Sequence, residues 1–201
     1  MLHLELPSGA ANGRVLLHSC CAPCSGAIIE CMLGNGIRPT VFFSNSNIVP
    51  LAEYELRKAE LARYCALMGV DAVDDEYDHS AWLSAVSGLE NEPERGARCL
   101  CCFRFRLLRA ARYAASHGFG VLATTLASSR WKDLGQVDAA GRRACLEVSS
   151  GPGGDGVPGL SSPVWWAQNW RKGGLQPRRG EIIREQNFYN QTFCGCEFSR
   201  R

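Results

Sequence analysis

The chain has 201 residues, of which 46% are hydrophobic and 21% are charged, with a formal net charge of +2 at pH 7. These values are ordinary for a globular domain with a sizeable core. Eleven cysteines, an odd number in a chain of this length, argue against a pure disulfide framework. The sequence shows neither a signal-peptide pattern nor an apolar run of about 20 residues, so we expect a cytoplasmic protein without a membrane span.

The hydrophobic pattern predicts strands that alternate with helices along the chain. We expect strands at 14–19, 40–43, 70–73, 119–126 and 144–149. We expect helices at 23–33, 51–68, 82–89, 99–118 and, capped by serine, 128–143. This order predicts an α/β fold with a Rossmann-like, layered, mostly parallel sheet and flanking helices. Residues 1–201 are then a single metal-binding domain, with a Gly/Pro-rich flap or insert at about 150–163.

Two loops carry the residues of greatest chemical interest. "SCCAPC" follows the first predicted strand, and "TTLASS" follows the fourth. In parallel α/β sheets, ligands bind in a crevice beyond the carboxyl ends of the strands. Both loops are therefore expected to face one such crevice.

The cysteines fall into clusters at the ends of predicted elements. The clusters are Cys20, Cys21 and Cys24; Cys99, Cys101 and Cys102; and Cys194 and Cys196. Several thiolates suit a soft metal, and they exceed what one tetrahedral zinc needs, which indicates an iron–sulfur cluster with a second metal or a redox dithiol beside it. Cys101 is expected to face away from its neighbours, and Cys31, Cys65 and Cys145 are expected to be packing residues.

Five sequence blocks resemble, in order and spacing, those of the cobalamin-independent epoxyqueuosine reductases. They are "LLHSCCAPCS", "NSNIVPLAEYELRK", "RCLCCFRFRL", "TTLASSRWKD" and "NQTFCGCEFS", which together span residues 16 to 199. The resemblance implies reduction of the epoxide of epoxyqueuosine to the alkene of queuosine, at the wobble nucleotide of certain tRNAs. It also implies a 4Fe-4S cluster with an additional mononuclear iron nearby.

The resemblance also implies a set of ligands. Most metal ligands would come from Cys20, Cys21, Cys99, Cys102, Cys194 and Cys196, the first four being the expected cluster-binding residues. Cys24 stands where some relatives have aspartate and is expected at the additional iron. The chain departs from the family pattern at Ser129, Arg130 and Asn169, which concerns the substrate pocket rather than the metal site.

The implied reaction removes one oxygen and consumes two electrons and two protons. No ordinary side chain supplies electrons, so a redox cofactor and an unidentified electron donor are required. The additional iron would act as a Lewis acid on the epoxide. Besides Cys24, the candidate catalytic residues are the possible proton donors Tyr54, Glu53 and Lys132. His18 is more typical of a satisfied core histidine, and Glu53 with Arg57 is also typical of a simple ion pair.

A tRNA partner would require basic and aromatic surfaces. Arginines recur along the helix that begins with the second cysteine cluster, at Arg104, Arg106, Arg109 and Arg112. Basic pairs near Trp165, Trp166 and Trp170 are compatible with RNA binding through phosphate contacts and base stacking. The same residues are equally compatible with a solvated helix face and core tryptophans.

Two other readings remain open from the sequence. A thiol–disulfide oxidoreductase that uses "CCAPC" or "CGC" would be free of metal, and it leaves the other thiols unexplained. A zinc-stabilised RNA-binding module would contain zinc and no iron.

Overall fold

A computed structural model describes residues 2–150 and 162–199. The strands are β1 (Val15–Ser19), β2 (Thr40–Phe43), β3 (Ala72–Asp74), β4 (Val121–Thr124) and β5 (Val164–Trp165). The helices are α1 (Ala22–Gly34), α2 (Leu51–Met68), α3 (His79–Ala85), α4 (Ala97–Ser116), α5 (Leu134–Ser150) and α6 (Leu175–Glu185). Short 3-10 turns follow at Thr125–Ser128 and Glu197–Ser199.

Among the described residues the strands form one parallel sheet in the order β3-β2-β1-β4-β5. The central strand β1 is buried along its whole length, as expected for a parallel strand covered on both faces. Leu17 pairs with Val41 of β2 on one side and with Ala123 of β4 on the other. The predicted α/β class and parallel sheet are confirmed.

The strand order reverses direction between β1 and β4. β1 leads through Cys20 and Cys21 into α1, while β4 leads into the turn Thr125–Ser128. In open α/β sheets a crevice forms at the carboxyl ends of two neighbouring strands where the strand order reverses. β1 and β4 are such a pair, so the loops that follow them meet at this crevice. This is the position that the sequence predicts for the site.

Two predicted elements differ in the structure. Residues 144–149 are not the fifth strand but the end of α5, since Val137, Ala140 and Ala144 are buried at helical spacing. The fifth strand is instead Val164–Trp165. Helix α5 begins at Leu134 rather than at 128, because the carboxylate of Asp133 accepts the backbone N–H of Gln136 at 2.8 Å and caps it.

Glycine matters where α5 crosses β5. A Cβ at Gly141 would collide with the ring of Trp165, so only glycine permits this close approach.

Among residues 2–150 and 162–199, none of the helices has the length and hydrophobicity that a membrane span needs. The flap predicted at 150–163 lies largely at 151–161, outside the described residues, and the single domain over 1–201 stays a prediction.

Candidate metal centre

The loop after β1 places three thiols together. Cys20 follows the strand, Cys21 precedes α1, and Cys24 lies in the first helical turn, which Pro23 favours. Their sulfur atoms all lie within 4.8 Å of one another. The Sγ atoms of Cys20 and Cys21 are 3.8 Å apart. Two thiolates on one tetrahedral metal with bonds of about 2.3 Å would lie about 3.8 Å apart, so this spacing fits a shared metal.

The three cysteine clusters meet at one cavity of about 620 Å³. Six cysteines line it: Cys20 and Cys24 from the first loop, Cys99 and Cys102 from the start of α4, and Cys194 and Cys196 from the C-terminal segment. Cys21 is buried against Cys20. The structure therefore brings together all seven cysteines that the sequence analysis proposes as metal ligands.

The remaining cysteines lie elsewhere. Cys101 lines a different cavity together with Arg104 and Phe105. Cys31, Cys65 and Cys145 are buried in the hydrophobic core, as expected for packing residues.

Positive charge faces the thiols. Lys132 Nζ lies 3.3 Å from Cys194 Sγ. Burial opposes ionisation of Cys194, but Lys132 and the buried Arg106 outweigh it and lower the pKa of this thiol. Burial likewise disfavours the charge on Lys132, yet Cys194 and Cys20 outweigh it and raise the pKa of Lys132. Lys132, proposed from the sequence, is thus a charged group of the cavity.

The thiols of the first loop differ in acidity. Hydrogen bonds from Cys21 and Cys24 hold the pKa of Cys20 well below its usual value. Burial raises the pKa of Cys21, and the hydrogen bond to Cys20 raises that of Cys24 to about 12. Without metal, Cys20 is therefore the thiolate of this loop, and metal binding would release protons from the other two.

Two polar side chains support a ligand with sulfur acceptors. The indole N–H of Trp82 is fully buried at the cavity, where it interacts with the thiol of Cys102. Gln191 Nε2 donates to Cys21 Sγ at 2.8 Å. Hydrogen bonds to cluster sulfurs are a common means of tuning iron–sulfur centres. Together with the seven thiols, these donors fit an iron–sulfur group.

Tyr54 is not brought to the cavity. Its ring is 1% exposed, and its hydroxyl donates to Asp74 Oδ1 at 2.6 Å. Burial, with Asp74 as the next cause, raises the pKa of Tyr54. Tyr54, a candidate proton donor from the sequence, therefore does not line this cavity, because its ring packs between Phe43 and Tyr77.

Glu53 does not line the cavity either, but it holds a residue that does. Its carboxylate lies 2.6 Å from the guanidinium of Arg57, which is 2% exposed. Arg57 lines the cavity and donates to the carbonyls of Cys194, at 3.1 Å, and Phe193, at 3.4 Å. The i,i+4 spacing of Glu53 and Arg57 gave the signal for this pair, but the sequence does not show that it holds the C-terminal cysteines.

His18 is a satisfied core histidine, as its position in the first strand favours. Its ring nitrogens contact Thr124 Oγ1 at 2.7 Å and the carbonyl of Ser44 at 3.1 Å. Burial, together with the charge of Arg106, lowers the pKa of His18 to about 3, so the ring is neutral at physiological pH.

Several of the residues predicted to bind RNA are not available at the surface. Arg106 is buried and donates to the carbonyl of Ser44, and Arg109 pairs with Asp75, so neither forms a free basic stripe. The tryptophans named as possible stacking surfaces are core residues: Trp165, Trp166 and Trp170. Sequence reasoning missed Trp131, which is exposed at the cavity, although its position among polar residues in "SSRWKD" was a usable signal.

Comparison with known proteins identifies relatives over nearly the whole chain. A protein-family model described as "Epoxyqueuosine reductase QueH" matches residues 15–201. A protein of that name from Haemophilus influenzae is 44% identical over 198 residues, covering 98% of this chain and 75% of the relative. One from Acinetobacter baylyi is 41% identical over 200 residues, covering 100% and 85%. One from Thermotoga maritima is 30% identical over 190 residues, covering 93% and 90%.

Proposed function

This chain belongs to the epoxyqueuosine reductase QueH family, and from that membership we propose that it reduces the epoxide of epoxyqueuosine in tRNA to the alkene of queuosine. The relatives carry the name of this activity over matched regions that include every cysteine cluster. The observation that carries the proposal is the convergence of thiols from three distant segments on one cavity.

The proposed metal ligands are the cysteines of that cavity and its first loop. We assign a 4Fe-4S cluster and an additional iron to the set Cys20, Cys21, Cys24, Cys99, Cys102, Cys194 and Cys196. When bound, such a group supplies electrons one at a time and a Lewis acid for the epoxide. The excess of thiols over one tetrahedral site and the Sγ–Sγ spacing of Cys20 and Cys21 support this assignment.

Lys132 is the proposed proton donor. Epoxide reduction to an alkene consumes two electrons and two protons and releases the oxygen as water. Lys132 holds a proton on Nζ inside the cavity, where the Cys194 and Cys20 sulfurs raise its pKa. Its charge also offsets the negative charge of the thiolates, and Arg106 adds to this effect from its buried position.

The partners follow from the substrate. The tRNA carries epoxyqueuosine at the wobble position, and its phosphates suit a cavity whose charged lining residues are all basic except Glu94. The electrons would come from an external donor of unidentified nature. Clustered cysteines that stay reduced and bind metal are typical of a reducing compartment, which favours the cytoplasm.

The test is turnover by anaerobically purified protein that has been reconstituted with iron and sulfide. The protein would be incubated with dithionite and tRNA containing epoxyqueuosine, and the digested nucleosides analysed by mass spectrometry. We expect conversion to queuosine, with loss of one oxygen. Cys102→Ala should abolish turnover, while Cys101→Ala, its neighbour outside the cavity, should retain it. Unchanged epoxyqueuosine with fully loaded wild-type protein would overturn the proposal.

A further inference from the structure

Trp131 is the exposed tryptophan of the described residues. Its side chain is 67% exposed, whereas Trp82, Trp165, Trp166 and Trp170 are each at most 7% exposed. Trp131 also lines the mouth of the cysteine cavity. Because tryptophan is enriched at binding interfaces, an exposed indole beside a cavity is a candidate contact for a ligand.

The backbone that carries Trp131 is held from two sides. The guanidinium of Arg95 donates to the carbonyl of Trp131 at 3.1 Å and to that of Arg130 at 2.8 Å. Arg171 donates to the carbonyls of Ser129, at 2.6 Å, and Lys132, at 2.7 Å. The indole therefore projects from a fixed loop, so a ligand that stacks on it has little backbone to order.

The surroundings of Trp131 are basic. The Arg130 guanidinium lies 5.6 Å from the centroid of the indole. The cationic side chains at the cavity that are at least partly exposed include Arg95, Arg130, Lys132 and Arg179, against the carboxylate of Glu94. An aromatic ring among cationic groups is the arrangement that binds single-stranded nucleic acid, through base stacking and phosphate contacts.

We propose that Trp131 is a stacking platform for a nucleobase that adjoins the modified nucleoside in the anticodon loop. The inference rests on the proposed function, because the modified base must enter the cavity to reach the cysteines. The nucleotides on either side of the modified base then remain at the mouth of the cavity, where the indole of Trp131 lies. RNA loops are commonly bound in this way, with unstacked bases placed on aromatic side chains.

The experiment measures the affinity for a synthetic anticodon stem-loop RNA by fluorescence anisotropy. Trp131→Ala should weaken binding about tenfold to a hundredfold, the loss expected for one base–aromatic stack, and Trp131→Phe should retain most of the affinity. Leu67→Ala is the matched control, because Leu67 is 61% exposed on α2 and does not line the cavity. It should bind like the wild type.

A double-mutant cycle identifies the stacked base. Stem-loops with an abasic site on either side of the target nucleotide should bind the wild type weakly, and one of the two should lose nothing further with Trp131→Ala. Equal affinity of Trp131→Ala and the wild type, or additive losses at both abasic positions, would overturn the inference. Turnover of epoxyqueuosine by the wild type is measured in parallel. If turnover fails while binding depends on Trp131, the proposed function fails and the platform stands.

Discussion

The ammonium group of Lys132 lies 3.3 Å from Cys194 Sγ. This contact connects the loop after β4 with the C-terminal segment, two parts of the site that are far apart in sequence. The contact raises the pKa of Lys132 against the effect of burial and lowers that of Cys194. Lys132 thus stays protonated at neutral pH and balances the charge of the thiolates. Because a raised pKa makes it a weaker acid, we expect it to give up its proton only to a strongly basic acceptor, such as the oxygen of an opened epoxide.

Replacing Lys132 by methionine tests its role as the proton donor. We expect kcat to fall by about 100-fold or more, as for loss of a general acid, while the iron content stays at the wild-type level. Because a raised pKa keeps Lys132 protonated until the pH exceeds its usual value of about 10.4, the wild-type rate should show no loss from this group between about pH 6 and 9. Lys58→Met, on α2 and outside the cavity, is the control. A normal rate for Lys132→Met would contradict the role.

Tyr54→Phe separates a structural role from a catalytic one. The variant loses the hydrogen bond to the Asp74 carboxylate, which should lower the free energy of unfolding by about 1.5–3 kcal/mol, the range for hydrogen bonds to charged groups. Turnover at a temperature well below the midpoint of unfolding should be unchanged, since the hydroxyl does not line the cavity. Urea unfolding and a turnover assay measure the two quantities. A fall in kcat of about 100-fold would instead indicate that Tyr54 acts as a general acid.

Glu53→Gln should weaken the support of the C-terminal cysteines. It leaves Arg57 buried without its carboxylate, at a cost of roughly 3 kcal/mol in the free energy of unfolding. Because Arg57 holds the carbonyls of Phe193 and Cys194, the iron content per chain should fall as well. Glu55→Gln is matched in chemistry and in helix, but its pair with Lys58 is at the surface and its loss should cost about 0.5 kcal/mol or less.

Measurement of iron together with urea unfolding decides between the two glutamates. If both variants lose iron and stability equally, the pair of Glu53 with Arg57 has no special part in positioning the segment.

Alkylation of the metal-free, reduced protein tests the charge pattern of the thiols. The thiolate is the reactive form, so Cys20 and Cys194, whose pKa values are lowered, should react with iodoacetamide at neutral pH before Cys24, whose pKa is raised to about 12. These three side chains are all partly exposed, which makes their rates comparable. Peptide mass spectrometry gives the rate at each site. Labelling of Cys24 as fast as Cys20 would contradict the pattern.

The sequence predicts the parallel sheet and the position of the site because strand periodicity and strand ends are local features. It also predicts which cysteines pack in the core, since Cys31, Cys65 and Cys145 lie at apolar positions of their predicted helices or strands. It fails where tertiary contacts decide. The run 144–149 is apolar enough for a strand, yet it continues α5, and Tyr54 faces the core because Phe43 and Tyr77 pack against it.

The loops near the site illustrate the same limit. The polar neighbours of Trp131 in "SSRWKD" indicate that it is exposed, but the sequence does not show that Trp165, Trp166 and Trp170 are buried, because their burial depends on packing against β4 and α5. Likewise, the spacing of Glu53 and Arg57 predicts an ion pair but not its burial beneath the C-terminal segment.

The most direct test of the central claim is the metal content of the protein purified without oxygen, measured as iron, zinc and acid-labile sulfide together with the visible absorption spectrum. Seven cysteines around one cavity predict a brown protein with broad sulfur-to-iron absorption and more iron than sulfide, since an iron outside the cluster adds no sulfide. A colourless protein with stoichiometric zinc, or one that takes up no metal after reconstitution with iron and sulfide, would contradict the account.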